Sequence, residues 1–416
     1  MAMAPIPPTA RQKATETTIL IRRLFFIFEL PIYKKTPKAL HGNNKKTTVI
    51  FAETYIYYMS EDSFVLKANP TKLTEGSVSW QSPSNIALVK YWGKHGEQLP
   101  QNASISFTLS NCHTNTVLHY VPKASDDFDF EVYLDGQREE GFEPKITSFF
   151  KRIEHYVPFI KDYTFRIETS NSFPHSSGIA SSASGMSALS LCLMDIERQL
   201  NPEMSDAYFM QKASFLSRLG SGSACRSLEG PLIVWGKHEA IENSSDLYGT
   251  AFLYDVHLNF QNYQDTILLV DKGQKQVSST VGHGLMHGHA FAKARFQQAH
   301  DNLTQLKEVL QTGDLDAFIA LVESEALTLH AMMMTSHPYF ILMRPNTLEI
   351  INRIWSYRQE TGSKVCFTLD AGANVHVLYP EKEKEEIHRF IENELSNFCQ
   401  NRHYIHDTVG NGAKKL

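Results

Sequence analysis

The stretch Asn171-Ser-Phe-Pro-His-Ser-Ser-Gly-Ile-Ala-Ser-Ser-Ala-Ser-Gly185 runs directly into the apolar segment Met186 to Leu193. Before it, Phe165-Arg-Ile-Glu168 alternates apolar and polar residues as a strand does; Pro174 closes that strand and Gly178 supplies a turn. The run of Ala and Ser beyond then opens a helix at close quarters. A strand entering a small-residue loop and then a helix leaves backbone N–H groups unpaired and directed outward, the arrangement that cradles phosphate. Side chains no larger than Ala or Ser let a polyphosphate approach the backbone itself. Ser181 and Ser182 add hydroxyls within reach of a phosphate oxygen or a magnesium ion. No Gly-Lys-Ser/Thr follows, so this is not a Walker A loop.

Composition bounds the function. The 416 residues are 42% hydrophobic and 20% charged, as expected of a soluble globular chain of two domains or one large one. The net charge of -5 argues against a nucleic-acid partner. Residues 1–58 hold nine Lys/Arg and three Asp/Glu, leaving 31 against 42 in an acidic body. This basic extension is neither a convincing signal peptide nor a membrane span, because Arg22, Arg23 and Glu29 interrupt its apolar part. It reads as disordered, as an organelle-targeting segment, or as a leader upstream of a start at Met59, and is expected to carry no function. The cysteines at 112, 192, 225, 366 and 399 form no CxxC pair, as in a cytoplasmic protein with reduced thiols. Cys225 is read as packing beneath a loop, since no His is close to it in sequence.

Three further stretches carry charge. Ser77 to Trp80 and Asn85 to Tyr91 read as two strands separated by Pro83 and Ser84; on an extended segment Lys90 and Lys94 would share one face, suited to a pyrophosphate or carboxylate. Ser104 to Ser110 and Thr114 to Val121 read as two more strands. Ser221-Gly-Ser-Ala-Cys-Arg226 offers exposed amides beside a guanidinium, which forks onto two oxygens at once. Val365 to Leu369 is a buried strand delivering Asp370 to a tight turn, where a rigid sheet holds a carboxylate still. His283, His287 and His289 have spacings that suit a metal, but Gly284 and Gly288 weaken the helix and no carboxylate stands near, so no metal is expected there. Met332 to Met334 reads as core filler, Glu381 to Phe398 as one charged helix, and the tail beyond as polar.

Asn85-Ile-Ala-Leu-Val-Lys-Tyr-Trp-Gly-Lys94, the cradle, Ser221 to Ser227 and Phe367-Thr-Leu-Asp-Ala-Gly-Ala-Asn374 occur in that order. Together, over about Ser84 to Pro380, they resemble the mevalonate diphosphate decarboxylases, a branch of the GHMP small-molecule kinase superfamily. The resemblance implies an α+β GHMP-kinase fold, with an N-terminal ribosomal-protein-S5-domain-2-like domain over residues 59–258 and a C-terminal ferredoxin-like domain over 259–416. It implies a cytoplasmic homodimer with no membrane partner, using ATP and Mg2+ to convert mevalonate 5-diphosphate to isopentenyl diphosphate. By motif, Asp370, Lys90 and Arg226 would be catalytic: Asp370 on the 3-hydroxyl, Lys90 keeping that carboxylate ionised, Arg226 on the substrate carboxylate. Tyr91, Lys94, Ser221 and Ser223 would hold the diphosphate, with Asn85 also on the substrate side. Ser177, Gly178, Ser181 and Ser182 would cradle ATP, Ser182 reaching the phosphates or magnesium.

The cradle reads Pro-His-Ser-Ser-Gly-Ile-Ala-Ser-Ser where the family commonly has Thr-Ala-Ala-Gly-Leu after the proline, and Met343-Arg-Pro-Asn346 replaces its usual Asn-Asp. Neither departure removes a proposed catalytic group. The competing readings are a mevalonate monophosphate decarboxylase, a GHMP kinase that stops at the phosphorylated alcohol, and a non-catalytic metabolite binder. The last would keep the cradle and lose the Lys90, Arg226 and Asp370 trio.

Overall fold

The computed structural model describes residues 60–66, 72–174, 179–273 and 279–416; the N-terminal extension, Ser177 and Gly178 lie outside them. In chain order the strands are β1 (Gly76–Val89), β2 (Lys94–His95), β3 (Leu99–Pro100), β4 (Ser104–Pro122), β5 (Asp129–Leu134), β6 (Gln137–Arg138) and β7 (Tyr163–Asn171). They continue with β8 (Leu232–Trp235), β9 (Thr250–Ala251), β10 (Gln264–Leu268), β11 (Cys366–Leu369), β12 (Val375–Tyr379), β13 (Tyr404–Thr408) and β14 (Lys414–Lys415). The helices are α1 (Glu143–Ile153), α2 (Ser181–Leu200), α3 (Asp206–Gly220) and α4 (Ser279–Gly284), then α5 (Ala292–Thr312), α6 (Leu315–Met334), α7 (Pro345–Thr361) and α8 (Lys384–Asn393).

The larger sheet runs β14-β1-β4-β7-β5-β6, with β8 attached to β4 and β9 to β8. Its long central strand alternates from Thr114 onward, inward residues buried and outward ones half-exposed, as period two requires. Leu118, Tyr120, Phe165 and Ile167 pack there against α1 to α3, where Ile146, Phe149, Phe150 and Ile153 form the apolar stripe of α1. The smaller sheet is antiparallel, ordered β11-β12-β10-β13, the order expected of a ferredoxin-like unit. One of its faces meets α7 and α8 through Ile350, Ile354, Ile387 and Ile391. The core formed by Ile105 and Phe107 of β4 is continuous with Ile267 of β10, Leu306 of α5 and Phe318 of α6.

Helices α5 and α6 are joined by Gly313, whose φ of +80° is the left-handed conformation that glycine adopts without strain. A Cβ there would collide with the His257 ring. Asp314 then caps α6, its carboxylate accepting from the amides of Asp316 and Ala317. By length and composition α6 is apolar enough to cross a membrane. It packs instead in the core, with Phe318, Val322, Ala326 and Leu329 buried together with Glu325 and His330.

Several expectations need correction. The strands separated at Pro83 are the single strand β1, and those separated between Ser110 and Thr114 are the single strand β4. The β1–β4 register shifts between Pro83 and Asn85, so that Pro83 pairs His113 while Asn85 pairs Thr108. This is a bulge, which tolerates a proline and re-aims the strand beyond it. Lys90 and Lys94 do not share a strand face: β1 ends at Val89, and Gly93 turns the chain with φ +98°. Glu381 to Phe398 is not one helix but two 3-10 turns flanking α8. The polar tail forms β13 and β14, the latter pairing back onto β1 at Trp80 and Gln81. Met332 and Met333 fill core, whereas Met334 is exposed.

The bulge in β4 is supported from the other sheet. Asp407 of β13, almost fully buried, accepts from the amides of Ser110 at 2.8 Å, Asn111 at 2.8 Å and Cys112 at 2.7 Å. Those amides have left the β1–β4 ladder, and a buried unpaired donor costs about 1–3 kcal/mol. Asp407→Ala is therefore expected to lower unfolding free energy by about 1–3 kcal/mol, and Asp407→Asn by less, since its amide oxygen still accepts. Urea unfolding monitored by circular dichroism checks both.

Candidate active site

The ends of β1 and β11, the start of α2 and the loop after α3 converge on one cleft of about 640 Å³. Every candidate among the described residues borders it: Asn85, Lys90, Tyr91 and Lys94 after the β1 bulge, Ser181 and Ser182 at the head of α2, Ser221, Ser223 and Arg226 beyond α3, and Asp370 after β11. Among the described residues five cations face it, Lys90, Lys94, Lys145, Arg152 and Arg226, against a single carboxylate, Asp370.

Lys90 is 1% exposed and its ammonium lies 3.3 Å from Asp370 Oδ1. Burial pushes the ammonium below its ordinary range, and the Asp370 carboxylate opposes that shift. Arg226 is also buried, at 3% exposed, and donates to the hydroxyls of Ser104 and Ser106, each at 2.6 Å. No salt bridge within the described residues engages its guanidinium, which burial holds below its usual range. A buried, ready-oriented guanidinium bonded only to serines is suited to an anion entering the cleft.

The second loop is braced from below. Asn85 donates to Ser227 Oγ at 2.8 Å and to the Ser223 carbonyl at 3.4 Å, so its amide nitrogen shapes the loop. Ser187 of α2 donates to the Ala224 carbonyl, and the Cys225 thiol, buried and pushed up to about 12 by desolvation, donates to the Gly222 carbonyl. Cys225 thus packs beneath the loop. Ser84 donates to the Ile179 carbonyl at 2.6 Å and ties the cradle to the β1 bulge.

At the head of α2, Ala180 takes the left-handed conformation with φ +46°, a strained choice for a residue with a Cβ. It aims the helix start into the cleft, where the amides of Ser181 and Ser182 meet no acceptor among the described residues. The positive end of the helix dipole and those amides form an anion site. Ser182 Oγ stands 3.3 Å from Ser221 Oγ, bringing the two loops together.

The sequence reading missed Lys145, Ser148 and Arg152, which line the cleft from α1. Their spacing places them on a polar face that flanks the stripe of Ile146, Phe149 and Ile153, a face visible as periodicity but not as a site. Lys94 donates to Gln98 at 2.8 Å, and burial followed by the Arg152 charge lowers its pKa. The Tyr91 phenol is raised by burial and its ring packs against Trp235 and His283. His283 itself borders the cleft, with Nδ1 accepting the Gly93 amide at 2.9 Å. His289 uses both ring nitrogens, on Met332 O and the Phe291 amide, and His287 is exposed. The three imidazoles therefore do not converge on an ion. Among the described residues no group of three or more His, Cys, Asp or Glu could hold a metal. The cleft does fit magnesium carried on nucleotide phosphates, for which the Ser182 hydroxyl and the Asp370 carboxylate are suitable hard oxygen donors.

A two-sheet α/β body of this topology, with a helix-start anion cradle and a Lys–Asp pair at its cleft, is that of the GHMP-kinase fold. The comparisons narrow this. Residues 82–246 match the model for the diphosphomevalonate decarboxylase-like N-terminal domain, and residues 266–414 that for the mevalonate 5-diphosphate decarboxylase C-terminal domain. The chain belongs to the mevalonate diphosphate decarboxylase family. It is 28% identical to diphosphomevalonate decarboxylase of Ganoderma lucidum over 331 residues, covering 74% of this chain and 80% of the relative. The solved mevalonate diphosphate decarboxylase of Staphylococcus aureus superposes with a TM-score of 0.70 at 26% identity, covering 82% of this chain and 98% of that one. That of Enterococcus faecalis superposes with a TM-score of 0.69 at 26% identity, covering 82% and 99%.

Burial pushes the pKa of His283 down to about 3 and of His330, on α6, down to about 4. Both rings stay neutral in the folded protein while the unfolded chain takes up protons near 6.5, so stability falls as pH falls below that value. At pH 5 each ring costs about 2 kcal/mol. His283→Gln is expected to flatten the fall in melting temperature between pH 7 and pH 5, measured by differential scanning calorimetry.

Proposed function

We propose that this chain catalyses the ATP-dependent decarboxylation of mevalonate 5-diphosphate to isopentenyl diphosphate. The observation that carries the reading is the cleft's charge, five cations around one carboxylate in a body whose net charge is negative. Such a site takes a polyanionic substrate and a polyphosphate together. A similar solved structure, described as MDDEF in complex with MVAPP, AMPPCP and magnesium, superposes with a TM-score of 0.71 at 26% identity; by analogy this cleft takes ATP, magnesium and the diphosphate.

The reaction transfers the γ-phosphoryl group to the tertiary 3-hydroxyl, giving ADP. The C3–O bond then breaks, phosphate leaves with its electron pair, and the C–C bond to the carboxylate supplies the electrons of the new double bond as carbon dioxide departs. Asp370 accepts or orients the hydroxyl proton, and its charge suits the positive charge that develops at C3. Lys90, at 3.3 Å, favours the ionised form of that carboxylate. Arg226 holds the departing carboxylate, while Tyr91, Lys94 and the Ser221–Ser223 loop hold the diphosphate, with Arg152 and Lys145 beside them. Ser181 and Ser182 receive the ATP phosphates at the head of α2. Magnesium, when bound with ATP, neutralises charge on the transferring phosphoryl group.

The proposal includes a cytoplasmic setting, supported by five buried cysteines with no disulfide, and a homodimeric state. It also sets 59–258 and 259–416 as the two domains, a division that falls between the two matched segments.

Purified protein supplied with ATP, magnesium and mevalonate 5-diphosphate is expected to release carbon dioxide and ADP in equal amounts, and neither with the 5-monophosphate. ADP without carbon dioxide would make it a kinase; carbon dioxide from the monophosphate would change the substrate. Asp370→Asn is expected to reduce kcat by about a hundredfold or more while nucleotide affinity, read by fluorescence titration, stays within about threefold.

A further inference from the structure

The Lys90–Asp370 pair joins residues 280 positions apart in the chain, and neither residue sits inside a regular element. Their backbones are nevertheless pinned by a single helix. Glu325 of α6, fully buried, accepts the Lys90 amide at 2.8 Å. Five residues on, His330 Nε2 lies 3.1 Å from the Asp370 carbonyl; because a carbonyl only accepts, the ring nitrogen is the donor. Arg295 of α5 binds both oxygens of Glu325 and also donates to the Lys90 carbonyl at 3.1 Å. Asn302 completes Glu325 at 2.6 Å, and Asn102 gives the Lys90 carbonyl a second bond at 2.9 Å.

A fully buried ion pair is a poor source of stability, since apolar residues of similar volume do as well or better. Here the pair grips both main-chain polar groups of one residue, and that residue is the cleft's most buried cation. We propose that α6 is the positioning element of the reaction: Glu325, with Arg295, and His330 hold the main chains of Lys90 and Asp370 so that ammonium and carboxylate meet the substrate hydroxyl in one geometry. This rests on the decarboxylase reading of the cleft. These three side chains touch the catalytic residues' backbones and do not border the cleft themselves, so they act through Lys90 and Asp370 alone.

The test is the paired replacement Arg295→Met with Glu325→Leu, which keeps the interior neutral and removes the grip on Lys90. Its expected result is a loss of about tenfold or more in kcat with KM for both substrates within about threefold, since small misplacements act on the reacting geometry more than on binding. The control is Lys212→Met with Glu197→Leu, an equally buried pair at 2.7 Å whose other bond goes to the Tyr156 carbonyl, away from the cleft. It is expected to change the melting temperature and leave kcat within about threefold. His330→Leu is expected to lower kcat, and His330→Gln, which restores a donor, to recover it. A paired variant with kcat within about threefold of the unaltered protein, or a control that loses as much, overturns the proposal. Should the paired variant not fold, His330→Leu with full kcat overturns it. Absence of carbon dioxide release from the unaltered protein would instead sink the decarboxylase reading, because every comparison here is made relative to that protein.

Discussion

Lys90 carries an ammonium into an interior where it is 1% exposed, and desolvating such a charge costs several kcal/mol unless it is paired. Its partner, Asp370, comes from the other sheet. The contact therefore constrains both: β1 must bend toward the second sheet, β11 must end where it does, and the helices between must keep the two ends a few ångströms apart. The bulge at Pro83 to Asn85 supplies the bend, and the core continuous from Ile105 through Ile267 to Phe318 keeps the sheets in place.

The bend leaves a debt of its own. Shifting the β1–β4 register takes the Ser110 to Cys112 amides out of the ladder, and the Asp407 carboxylate from β13 collects them. The chain then continues to β14 and returns to β1 at Trp80. The same two strands that aim Lys90 are thus held by the second sheet at one point and by the chain's last strand at another. Rigidity at the cleft is distributed through the molecule, consistent with a reaction that needs alignment more than it needs covalent help from the protein.

What the sequence disclosed follows from how local the chemistry is. A phosphate cradle is written in consecutive small residues, a strand-end carboxylate in Leu369-Asp370, and a loop arginine in the six residues ending at Arg226, so these were legible and the fold class with them. Lys145, Ser148 and Arg152 were not, because a helix's polar face normally looks at water and only packing shows that this one looks into a cleft. Pro83 was read as ending a strand because its missing amide usually does so; the compensation lies on Asp407, more than 290 residues away. Glu325 and Arg295 belong to no local motif, and only tertiary contact reveals them as a fully buried pair.

The electrostatics of the cleft place its substrates within the design of the site. Burial depresses Lys90, Arg226 and Lys94, the last also through Arg152. Cations crowded behind one carboxylate weaken one another, and among the described residues no second acid lines the cleft to relieve them. Another fixed carboxylate would have lowered that strain at the expense of repelling diphosphate, carboxylate and nucleotide alike. Leaving the cations under-compensated makes each arriving anion the missing counter-charge. The anions that fix the substrate also oppose the burial that depresses Lys90 and Arg226, so that binding and the electrostatics of the reacting groups are coupled through one set of charges.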